Sequence, residues 1–561
     1  MPDTTELLDH YYLTIGGQAP RAELLANVAE IVVESSLHLP DVATITLLDP
    51  ETTWADSPDL APGKAITISA RGGRKEHPLF DGEIVELELA WEQGMQKVLV
   101  RAFDRLHRLA RGRTVRSFQN MTDGDLVKKI AQEVGLQAHV GPTSQVHDYL
   151  LQANQSNLDF LRGRAAALGF LLFVREKTLH CEPPSGQGQA VELHWARELS
   201  EFRPRMSTLG QVAQVTARGW DPAERREIVA DSKESKVIPQ VGAGKSGGKL
   251  AEEAFHMPNV KHLVADRPLR AQPVAERLAQ AVADRQAGRF IEAEGACAGN
   301  PGLIAGAQVS IANIGQRFSG QYFVTGAAHT FLPGEYTTRF SVSGLQPATL
   351  IQLLAPENDV GIPSGLVIGI VTDNQDPDGL GRVKVKYPWL SSEHASYWAR
   401  VVAPGAGPQR GIEFLPEVND EVLIGFELGD VNYPYVLGGL WNGKDKPPKP
   451  NAELLSGGKV QQRVIRSRAG HVITLDDADN GGGVTIEDKN GNKIALDSAN
   501  NSITIDVRGD ATVKSRGNLS LDAQGNLSLQ AKGKLDIKGM GVSVDGGVAN
   551  VDVKGTMINL N

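Results

Sequence analysis

The stretch that decides the fold is GNLSLDAQGNLSLQAKGKLDI, residues 517–537. Two apolar residues flank one polar residue in each unit, and the unit recurs every eight positions behind a glycine. Alternation of this kind places both apolar side chains on one face of a strand. Glycine allows a sharp bend at each corner without steric cost. The pattern therefore predicts short strands separated by regular bends.

The same triplet extends over the last fifth of the chain, and the steps between its first members shorten along the chain until they settle near eight. A strand with two apolar side chains cannot bury its face alone, so repetition and neighbouring chains must build the core. We predict an intertwined trimeric β-prism, with a single-chain β-solenoid as the alternative. The pairs are Ile473/Leu475, Val484/Ile486, Ile494/Leu496, Ile503/Ile505, Ala511/Val513, Leu519/Leu521, Leu527/Leu529, Leu535/Ile537, Val542/Val544, Val551/Val553 and Ile558/Leu560.

The interior of this prism is expected to be narrow. The chain has no aromatic residue beyond Trp441 and no proline beyond Pro450. Aromatic rings would overfill a narrow threefold axis, and prolines would break the ladders. The predicted trimer core is formed by Leu519, Leu521, Leu527, Leu529, Leu535 and Ile537.

The bulk composition excludes several classes of protein. With 41% hydrophobic and 22% charged residues, the 561-residue chain as a whole is not disordered. A net charge of −10 argues against a broad basic nucleic-acid face. Cys181 and Cys297 cannot form a disulfide scaffold, and no CxxC pair suggests zinc. Neither a secretory signal nor a membrane-spanning run is visible, so we expect synthesis in the cytoplasm.

The first 350 residues read as β-strands interrupted by helices. Alternation predicts strands at Tyr11–Ile15, Thr44–Leu48, Ala65–Ile68 and Glu83–Leu89, with a turn at Gly82. Later strands are predicted at Phe170–Val174, Gln308–Ala312, Tyr322–Ala327 and Thr337–Val342. Residues 231–255 are predicted to form a polar loop rich in Gly, Lys and Ser, and then a short helix, and another helix is predicted at about Pro273–Arg285.

Two further helices carry N-terminal capping signals. Thr122-x-x-Asp125 and Ser156-x-x-Asp159 fit the capping-box pattern, and Gly135 and Gly169 are placed to end the helices.

Residues 365–441 form a separate β unit. Asp376-Pro377-Asp378-Gly379 is strong turn chemistry between the first two of its strands. Five short strands in so compact a segment suit a small barrel such as the OB-fold. The five predicted strands are Leu366–Thr372, Gly381–Tyr387, Tyr397–Val402, Glu421–Phe426 and Pro434–Gly438.

At several places the residues resemble VgrG-like central spike proteins of contractile injection systems. RAFDRLHRL at 101–109, QSNLDFL at 155–161 and FSGQYFV at 318–324 are similar to the N-terminal module of VgrG and phage late-control D proteins. PEVNDEV at 416–422 and VLGGLW at 436–441 are similar to the baseplate-spike OB domain. RSRAGH at 466–471 resembles the lead-in to the β-prism of these spikes.

The resemblance implies a fold that is mainly β with a minor α component. The implied domains are a hub with two barrel-like subdomains and a helical insert at 1–350, a linker at 351–362, an OB-fold barrel at 363–445, a neck at 446–470, and an intertwined trimeric β-helix at 471–561.

The function implied by the resemblance is mechanical. A homotrimer would adapt a sixfold inner tube to a threefold spike that punctures a target membrane. Its partners would be the inner tube protein at the hub, baseplate proteins, and a PAAR-type protein at the C-terminal end. The implied tip interface is Met557, Ile558, Asn559, Leu560 and Asn561.

The resemblance also bears on the tip and on the kind of machine. Phage spikes that close their own tip often use a His-x-His iron site there, whereas this tail has only His471, near its base. We therefore expect no metal, no cofactor and a separate cap. The machine could be an extracellular phage-like particle, a type VI secretion system or a myophage tail. Compact length and the lack of an effector domain favour the first.

Three rival functions are weaker. GKSGG at 244–248 matches the G-x-S-x-G nucleophile elbow, but its polar glycine setting disfavours catalysis. A carbohydrate-binding or glycan-cleaving tailspike would draw on Asp476, Asp477 and Asp479, yet the tail lacks aromatic platforms for sugars. Nucleic-acid stacking on the barrel is disfavoured by acidic neighbours. The aromatic residues concerned are Tyr387, Trp389, Tyr397 and Trp398.

Overall fold

The computed structural model describes residues 11–559 except 73–74, 93, 185–186, 234, 236–239, 243, 346–364 and 392. Strands account for 42% of the described residues and helices for 14%, which confirms a mainly β fold with a minor α component. The chain divides into two compact units, Met1–Asn442 and Gly443–Asn561. The linker predicted at 351–362 lies outside the described residues.

The described part of the first unit begins with a long series of strands interrupted by five helices. In chain order these are β1 (Tyr11–Ile15), α1 (Ala22–Ala26), β2 (Val28–Ser36), β3 (Val42–Leu48), β4 (Ala65–Gly72), β5 (Lys75–Glu92), β6 (Met95–Asp104), β7 (Thr114–Thr122), α2 (Asp123–Glu133), β8 (Gln137–Val140), β9 (Val146–Gln155), α3 (Asn157–Leu168), β10 (Leu171–Arg175), β11 (Thr178–Glu182), β12 (Gln187–His194), β13 (Leu199–Met206), β14 (Gln214–Asp221), β15 (Arg226–Asp231), β16 (Gln240–Val241), α4 (Gly247–Phe255), β17 (Lys261–Val264), α5 (Gln272–Gly288), β18 (Ile291–Ala298), β19 (Ala307–Ala312), β20 (Gly320–Phe323), β21 (Gly326–Leu332) and β22 (Glu335–Val342).

A ten-stranded antiparallel sheet organises this region, in the order β1-β4-β5-β6-β3-β2-β21-β22-β18-β13. The pairing of β2 with β21 joins the first strands of the chain to strands that follow residue 290. Ile31 lies opposite Phe331 across this joint, and both are buried. Phe331 belongs to the first core and Ala327 belongs to a second core. They are four residues apart on β21, and residues at even spacing along a strand share a face. One face of the sheet therefore carries both cores.

The turn predicted at Gly82 is wrong. Strand β5 continues through it for 18 residues, and Gly82 lies opposite Asp104. A Cβ atom at position 82 would lie 2.3 Å from the carbonyl oxygen of Phe103 and 2.3 Å from the Phe80 ring. Glycine is required there for close packing rather than for a change in chain direction.

The strand predicted at Tyr322–Ala327 is also wrong as one element. The structure has two strands there, Gly320–Phe323 and Gly326–Leu332. The first belongs to a four-stranded sheet and the second to the ten-stranded sheet, so the chain crosses between sheets at Val324 and Thr325. Apolar alternation alone does not reveal such a crossing.

The helical insert forms where the capping signals predict it. Thr122 Oγ1 accepts from the N–H of Asp125, and the Asp125 carboxylate accepts from the N–H of Thr122, which completes the capping box of α2. Ser156 accepts from the N–H of Asp159 at 3.1 Å and donates its hydroxyl to that carboxylate at 2.7 Å. Gly169 ends α3 with φ of 72°.

The last part of the first unit is a closed five-stranded barrel in the order β23-β24-β25-β27-β26. All five of its strands were predicted. Asp376 fixes the first turn by accepting from the N–H groups of Asp378 and Leu380 and from the Arg382 guanidinium. The Arg382 hydrogen bond is the main cause of an Asp376 pKa well below its usual range. The strands are β23 (Val367–Asp373), β24 (Arg382–Lys386), β25 (Ala399–Val401), β26 (Glu421–Phe426) and β27 (Pro434–Gly439).

The barrel is docked on the preceding region through a shared core. Tyr149 and Leu151 of β9 are buried among the barrel valines. The Tyr149 hydroxyl donates to the carbonyl of Ala395 at 2.7 Å, and the N–H of Leu151 donates to Asn432 Oδ1 at 2.8 Å. These contacts combine apolar burial with directional bonds, so the barrel has a defined position on the hub.

The second unit starts with a short helix, a small hairpin and a five-stranded antiparallel meander. Residues 507–559 follow without a regular helix or strand within the single chain. The elements are α6 (Asn451–Leu454), β28 (Leu455–Ser456), β29 (Lys459–Val460), β30 (Gln462–Arg466), β31 (Val472–Asp476), β32 (Gly483–Glu487), β33 (Lys493–Asp497) and β34 (Ser502–Asp506).

Candidate functional site: an exposed apolar face on the C-terminal repeat

The meander aligns the apolar pairs of the repeat across neighbouring strands. Residues directly opposite in an antiparallel pair share one face of the sheet. The pairs therefore form one continuous apolar stripe from β31 to β34. The opposed residues are Ile473 with Ile486, Leu475 with Val484, Ile486 with Ile494, Val484 with Leu496, Ile494 with Ile505, and Leu496 with Ile503.

Within one chain, this stripe lies open to solvent. Apart from the half-buried Val484, its large side chains are between 39% and 70% exposed, and the exposure is highest at Ile503 and Ile505 in β34. A contiguous apolar surface of this kind marks an interaction site in a water-soluble protein. Burying each such side chain fully contributes roughly 1.5–3 kcal/mol. The stripe is therefore a candidate interaction surface.

The turns between these strands are set by local sequence. Asp488 Oδ1 accepts from the N–H groups of Asn490 and Asn492, each at 2.9 Å, and Gly491 takes φ of 87°. The hydrogen bond from the Asn492 side chain is the main reason that the pKa of Asp488 lies below its usual value. Asp497 plays the same part in the next turn, with Asn500 as its main donor.

The octapeptide region continues the exposed face. The chain bends at residues 508–509, 516–517, 524–525 and 532–533, which places a bend at each predicted glycine corner. The six residues predicted for the trimer core are between 55% and 66% exposed in the single chain. Their burial in a trimer stays a prediction. The six are Leu519, Leu521, Leu527, Leu529, Leu535 and Ile537.

The sequence predicts that glycine relieves steric strain at the corner bends, but the single chain shows no such strain. At Gly509, Gly517, Gly525 and Gly533 the backbone lies outside the left-handed region. A Cβ atom at any of the four would meet nothing within 4 Å. Neither backbone strain nor contacts within the chain therefore require glycine at these bends.

The predicted tip interface is partly described. Met557, Ile558 and Asn559 are exposed, whereas Leu560 and Asn561 lie outside the described residues. Their role in binding a tip protein stays a prediction.

The acidic residues considered for glycan cleavage are engaged in local contacts. Asp476 accepts from the Gln462 amide at 2.8 Å and from the N–H of Ala478 at 3.0 Å. Asp477 forms an ion pair with Arg463. Asp479 lies 3.5 Å from Lys459 Nζ. The structure thus gives these carboxylates roles in a turn and between strands.

The G-x-S-x-G sequence is explained by packing. Ser246 is exposed at the start of α4, and it makes no side-chain capping bond. A Cβ atom at Gly248 would lie 2.2 Å from the carbonyl oxygen of Val212, and one at Gly247 would lie 2.6 Å from the Phe290 ring. The two glycines allow the start of α4 to approach the chain at Val212.

The barrel aromatics also have structural partners. Tyr387 is buried, and the Trp389 indole donates to the carbonyl of Ile368 at 3.1 Å. Tyr397 stacks on Tyr149 with ring centroids 6.2 Å apart. Lys384 Nζ lies 4.6 Å from the centre of the Trp398 ring. These contacts use the rings for packing and docking within the first unit.

In the described part of the chain, no group of three or more His, Cys, Asp or Glu side chains is arranged to hold a metal ion. His471 lies in a turn, where its N–H donates to Ser467 Oγ at 3.1 Å. Among the described helices, none combines the length and the apolar character that crossing a membrane requires.

Sequence reasoning missed a second exposed apolar row, on β5 of the hub. Leu87, Leu89 and Trp91 are exposed there and alternate with Glu86 and Glu88. The signal was present in the sequence ELELAWE, but alternation shows only that a strand has two faces. Whether the apolar face is covered depends on where the neighbouring strand stops.

A family model described as the Alg8 N-terminal domain matches residues 9–332, which is more than half of the chain. The chain belongs to the Alg8 N-terminal domain family. The matched region contains the helical insert and all but the last strand of the ten-stranded sheet. The family model therefore covers the N-terminal region of the chain as far as the end of β21.

A second family model, the type VI secretion system/phage-baseplate injector OB domain, matches residues 367–441. These residues contain the five strands of the closed barrel, from Val367 to Gly439. The barrel predicted from turn chemistry and strand spacing therefore coincides with this OB domain.

Curated relatives are type VI secretion system spike proteins. The chain is 37% identical over 75 residues to VgrG3 of Vibrio cholerae, a match that covers 13% of this chain and 7% of the relative. It is 27% identical over 117 residues to VgrG2a of Pseudomonas aeruginosa, covering 20% of this chain and 14% of the relative. The chain thus matches less than a quarter of the length of these relatives.

A solved Francisella structure, the half-lidded PdpA–VgrG complex, shares the fold. The TM-score is 0.52 at 10% identity, and the match covers 89% of this chain and 88% of the other. Together with the OB domain and the curated relatives, it confirms the resemblance to VgrG-like central spike proteins of contractile injection systems. The chain is thus similar in sequence to parts of type VI secretion spike proteins and similar in fold to a VgrG.

Proposed function

We propose that three copies of this chain wind their C-terminal repeats together into a β-prism, with the apolar stripe directed to the shared axis. The observation that carries this proposal is the exposed, continuous row of paired apolar residues in the second unit. A trimer supplies the missing cover from identical chains and leaves few free strand edges. It also gives the corner glycines a reason, since a neighbouring chain can approach where the single chain leaves space.

In this proposal the molecule has a hub at 1–350, an OB-fold at 363–445 and a spike at 471–561, connected by the linker at 351–362 and the neck at 446–470. The hub adapts a sixfold inner tube to the threefold spike and contacts baseplate proteins. The Francisella VgrG in complex with PdpA supports the idea that a spike of this fold works in contact with other proteins. The C-terminal residues Met557–Asn561 carry a PAAR-type tip.

The proposed action is mechanical puncture of a target membrane, without catalysis, cofactor or nucleic acid. The naming of the curated relatives as spike proteins supports this reading. We further propose that the chain is made and assembled in the cytoplasm and is released as part of a phage tail-like particle. Genes for sheath, tube and PAAR proteins beside this one would support that setting, and their absence would contradict it.

Electron microscopy of the purified full chain tests the architecture. Class averages are expected to show threefold symmetry and a thin rod that extends from a wider body. Averages without threefold symmetry would contradict the proposal. The matched control is a chain with Leu527→Asp, which is expected to lose the rod.

A further inference from the structure

The ten-stranded sheet has two strand edges that no described strand covers. Strand β4 pairs with β5 only as far as Glu83, so residues 86–92 of β5 have β6 on one side and no described strand on the other. Strand β13 pairs with β18, and its residues 200–206 have no second neighbour among the described strands. Uncovered edges present unpaired N–H and C=O groups and invite pairing with another chain.

The apolar residues of the two edges lie on the same face of the sheet. Leu87 and Leu89 are opposite the buried Val100 and Val98, so they extend the core face past the last covered strand. They are 37% and 44% exposed, and Trp91 beyond them is 69% exposed. On β13 the corresponding half-buried residues are Phe202, Pro204 and Met206, and of these Phe202 and Met206 pack against the second core.

The charged residues on the opposite face alternate in sign from strand to strand. Arg101 of β6 bonds both Glu86 and Glu88 of β5, the second at 2.7 Å. Lys97 of β6 lies 3.1 Å from Glu92 of β5. At the other end of the sheet, Arg205 of β13 pairs with Glu292 of β18, and Arg203 lies opposite Glu294. The outward charges are thus basic on β6 and acidic on β5. On β13 they are basic at Arg203 and Arg205 and acidic at Glu201, and on β18 they are acidic.

From these edges we infer that the β5 edge of one copy pairs with the β13 edge of the next copy, head to tail around the hub. This inference rests on the proposed trimer and names the surfaces that join its hubs. Pairing of unlike edges brings Glu86 and Glu88 beside Arg203 and Arg205, which continues the alternation of charge. It also brings Leu87, Leu89 and Trp91 beside the apolar side of β13.

Pairing of like edges is disfavoured by the same charges. Two β5 edges would place glutamates beside glutamates, and like charges directly opposite destabilise a sheet. On β13 the exposed Glu201 shares a face with Arg203 and Arg205, so two β13 edges are disfavoured by charge less strongly. Unlike edges make a heterologous contact, which closes into a ring when the rotation permits. A ring of three copies satisfies every such edge. Pro204 lacks an N–H, so β13 is a poor template for indiscriminate pairing.

Cysteine cross-linking in the full chain tests this inference. We would prepare Glu88→Cys with Arg203→Cys in one chain and treat it with a bismaleimide spanning about 10 Å, which tolerates a two-residue shift of register at ~7 Å. The expected result is a ladder of covalent dimers and trimers on a denaturing gel. Cys181 and Cys297 are buried, so their background reaction is measured on the unaltered chain.

Three controls make the result decisive. Each single variant, Glu88→Cys or Arg203→Cys, should remain monomeric on the gel, because a cross-link from one edge alone would mean pairing of like edges and would overturn the inference. Glu88→Cys with Arg226→Cys, on an exposed strand elsewhere in the hub, should also give no ladder. Comparable laddering of that control would likewise overturn it.

The light-scattering mass separates this inference from the proposal on which it rests. A protein with three times the single-chain mass of 60.2 kDa that gives no ladder with the double variant would overturn the edge pairing and leave the trimeric spike standing. A chain of monomer mass would contradict both.

Discussion

At the scale of single residues, the proposed trimer depends most on apolar side chains that are exposed in one chain. Leu527 is more than half exposed, although the alternation of its strand assigns it to a core. In a narrow threefold interior, three copies of residue 527 would meet around one axis. Leu527 would therefore be exposed in the single chain and buried in the trimer.

Replacing Leu527 with Asp should abolish assembly. Three carboxylates would be placed around a dry axis, and burying an unpaired charge costs several kcal/mol. Size-exclusion chromatography should show the variant at the mass of the monomer. Ser528→Asp, which adds the same charge one position away on the outward face, should remain assembled. A normal oligomer from Leu527→Asp would refute the inward assignment.

Asp104 gives the hub a predictable pH dependence. Burial raises its pKa to about 7, while Arg105 and Arg162 nearby act in the opposite direction. A carboxyl group with a pKa raised on folding binds its proton more tightly in the folded state. Stability is therefore lost as pH rises from about 4 toward 7. His38 opposes this below pH 6.5, since burial lowers its pKa to about 4.

The variant Asp104→Asn tests the contribution of this carboxyl group together with its effect on the buried Asp41, whose pKa is raised by burial and then by the Asp104 charge. An amide keeps an oxygen that can accept from the N–H of Leu106, now 2.9 Å from Asp104 Oδ1. Between pH 5 and pH 7, the free energy of unfolding of the variant should rise by on the order of 2 kcal/mol relative to that of the unaltered chain. Each pH unit contributes about 1.4 kcal/mol while the carboxyl group is protonated only in the folded state. Denaturant unfolding at the two pH values measures it. Equal pH dependence in both proteins would show that Asp104 is ionised in the folded state.

At the scale of elements, the sequence predicts best what is decided locally. Capping residues located both helices of the insert, because a helix end needs its partner within four residues. All five barrel strands were found, because short runs bounded by turns determine them. The row of apolar pairs in the meander was also foreseen. The turn at Gly82 was not correct, because the residues that require glycine there include Phe103, which lies on the neighbouring strand.

Gly82→Ala should therefore destabilise the hub strongly. The added Cβ would meet a backbone oxygen in a neighbouring strand, which cannot move aside as a flexible side chain would. We expect a loss of at least ~1–3 kcal/mol in denaturant unfolding, as overpacking typically causes.

The matched control is Gly163→Ala in α3, where a Cβ atom meets nothing within 4 Å. Alanine should stabilise this helix by about 0.5–1 kcal/mol. Equal effects at the two positions would contradict the packing explanation for Gly82.

At the scale of the whole molecule, two kinds of surface remain uncovered in one chain. The apolar stripe of the second unit was predictable from sequence, because alternation and repetition announce it. The free edges of β5 and β13 were not, because they depend on where β4 stops along β5 and on the lack of a second described neighbour for β13. The pairing of edges between copies is a property of the assembly. The sequence bears on this pairing only through the charged residues on the edge strands.

The central claim is that this chain is built to function as a trimer, and light scattering of the purified full-length chain tests it most directly. The account predicts a mass three times the 60.2 kDa of the single chain. Leu527→Asp should lower that mass, and Ser528→Asp should not. A mass near 60.2 kDa for the unaltered chain would contradict the account, because the apolar stripe would then be stable in water without a partner.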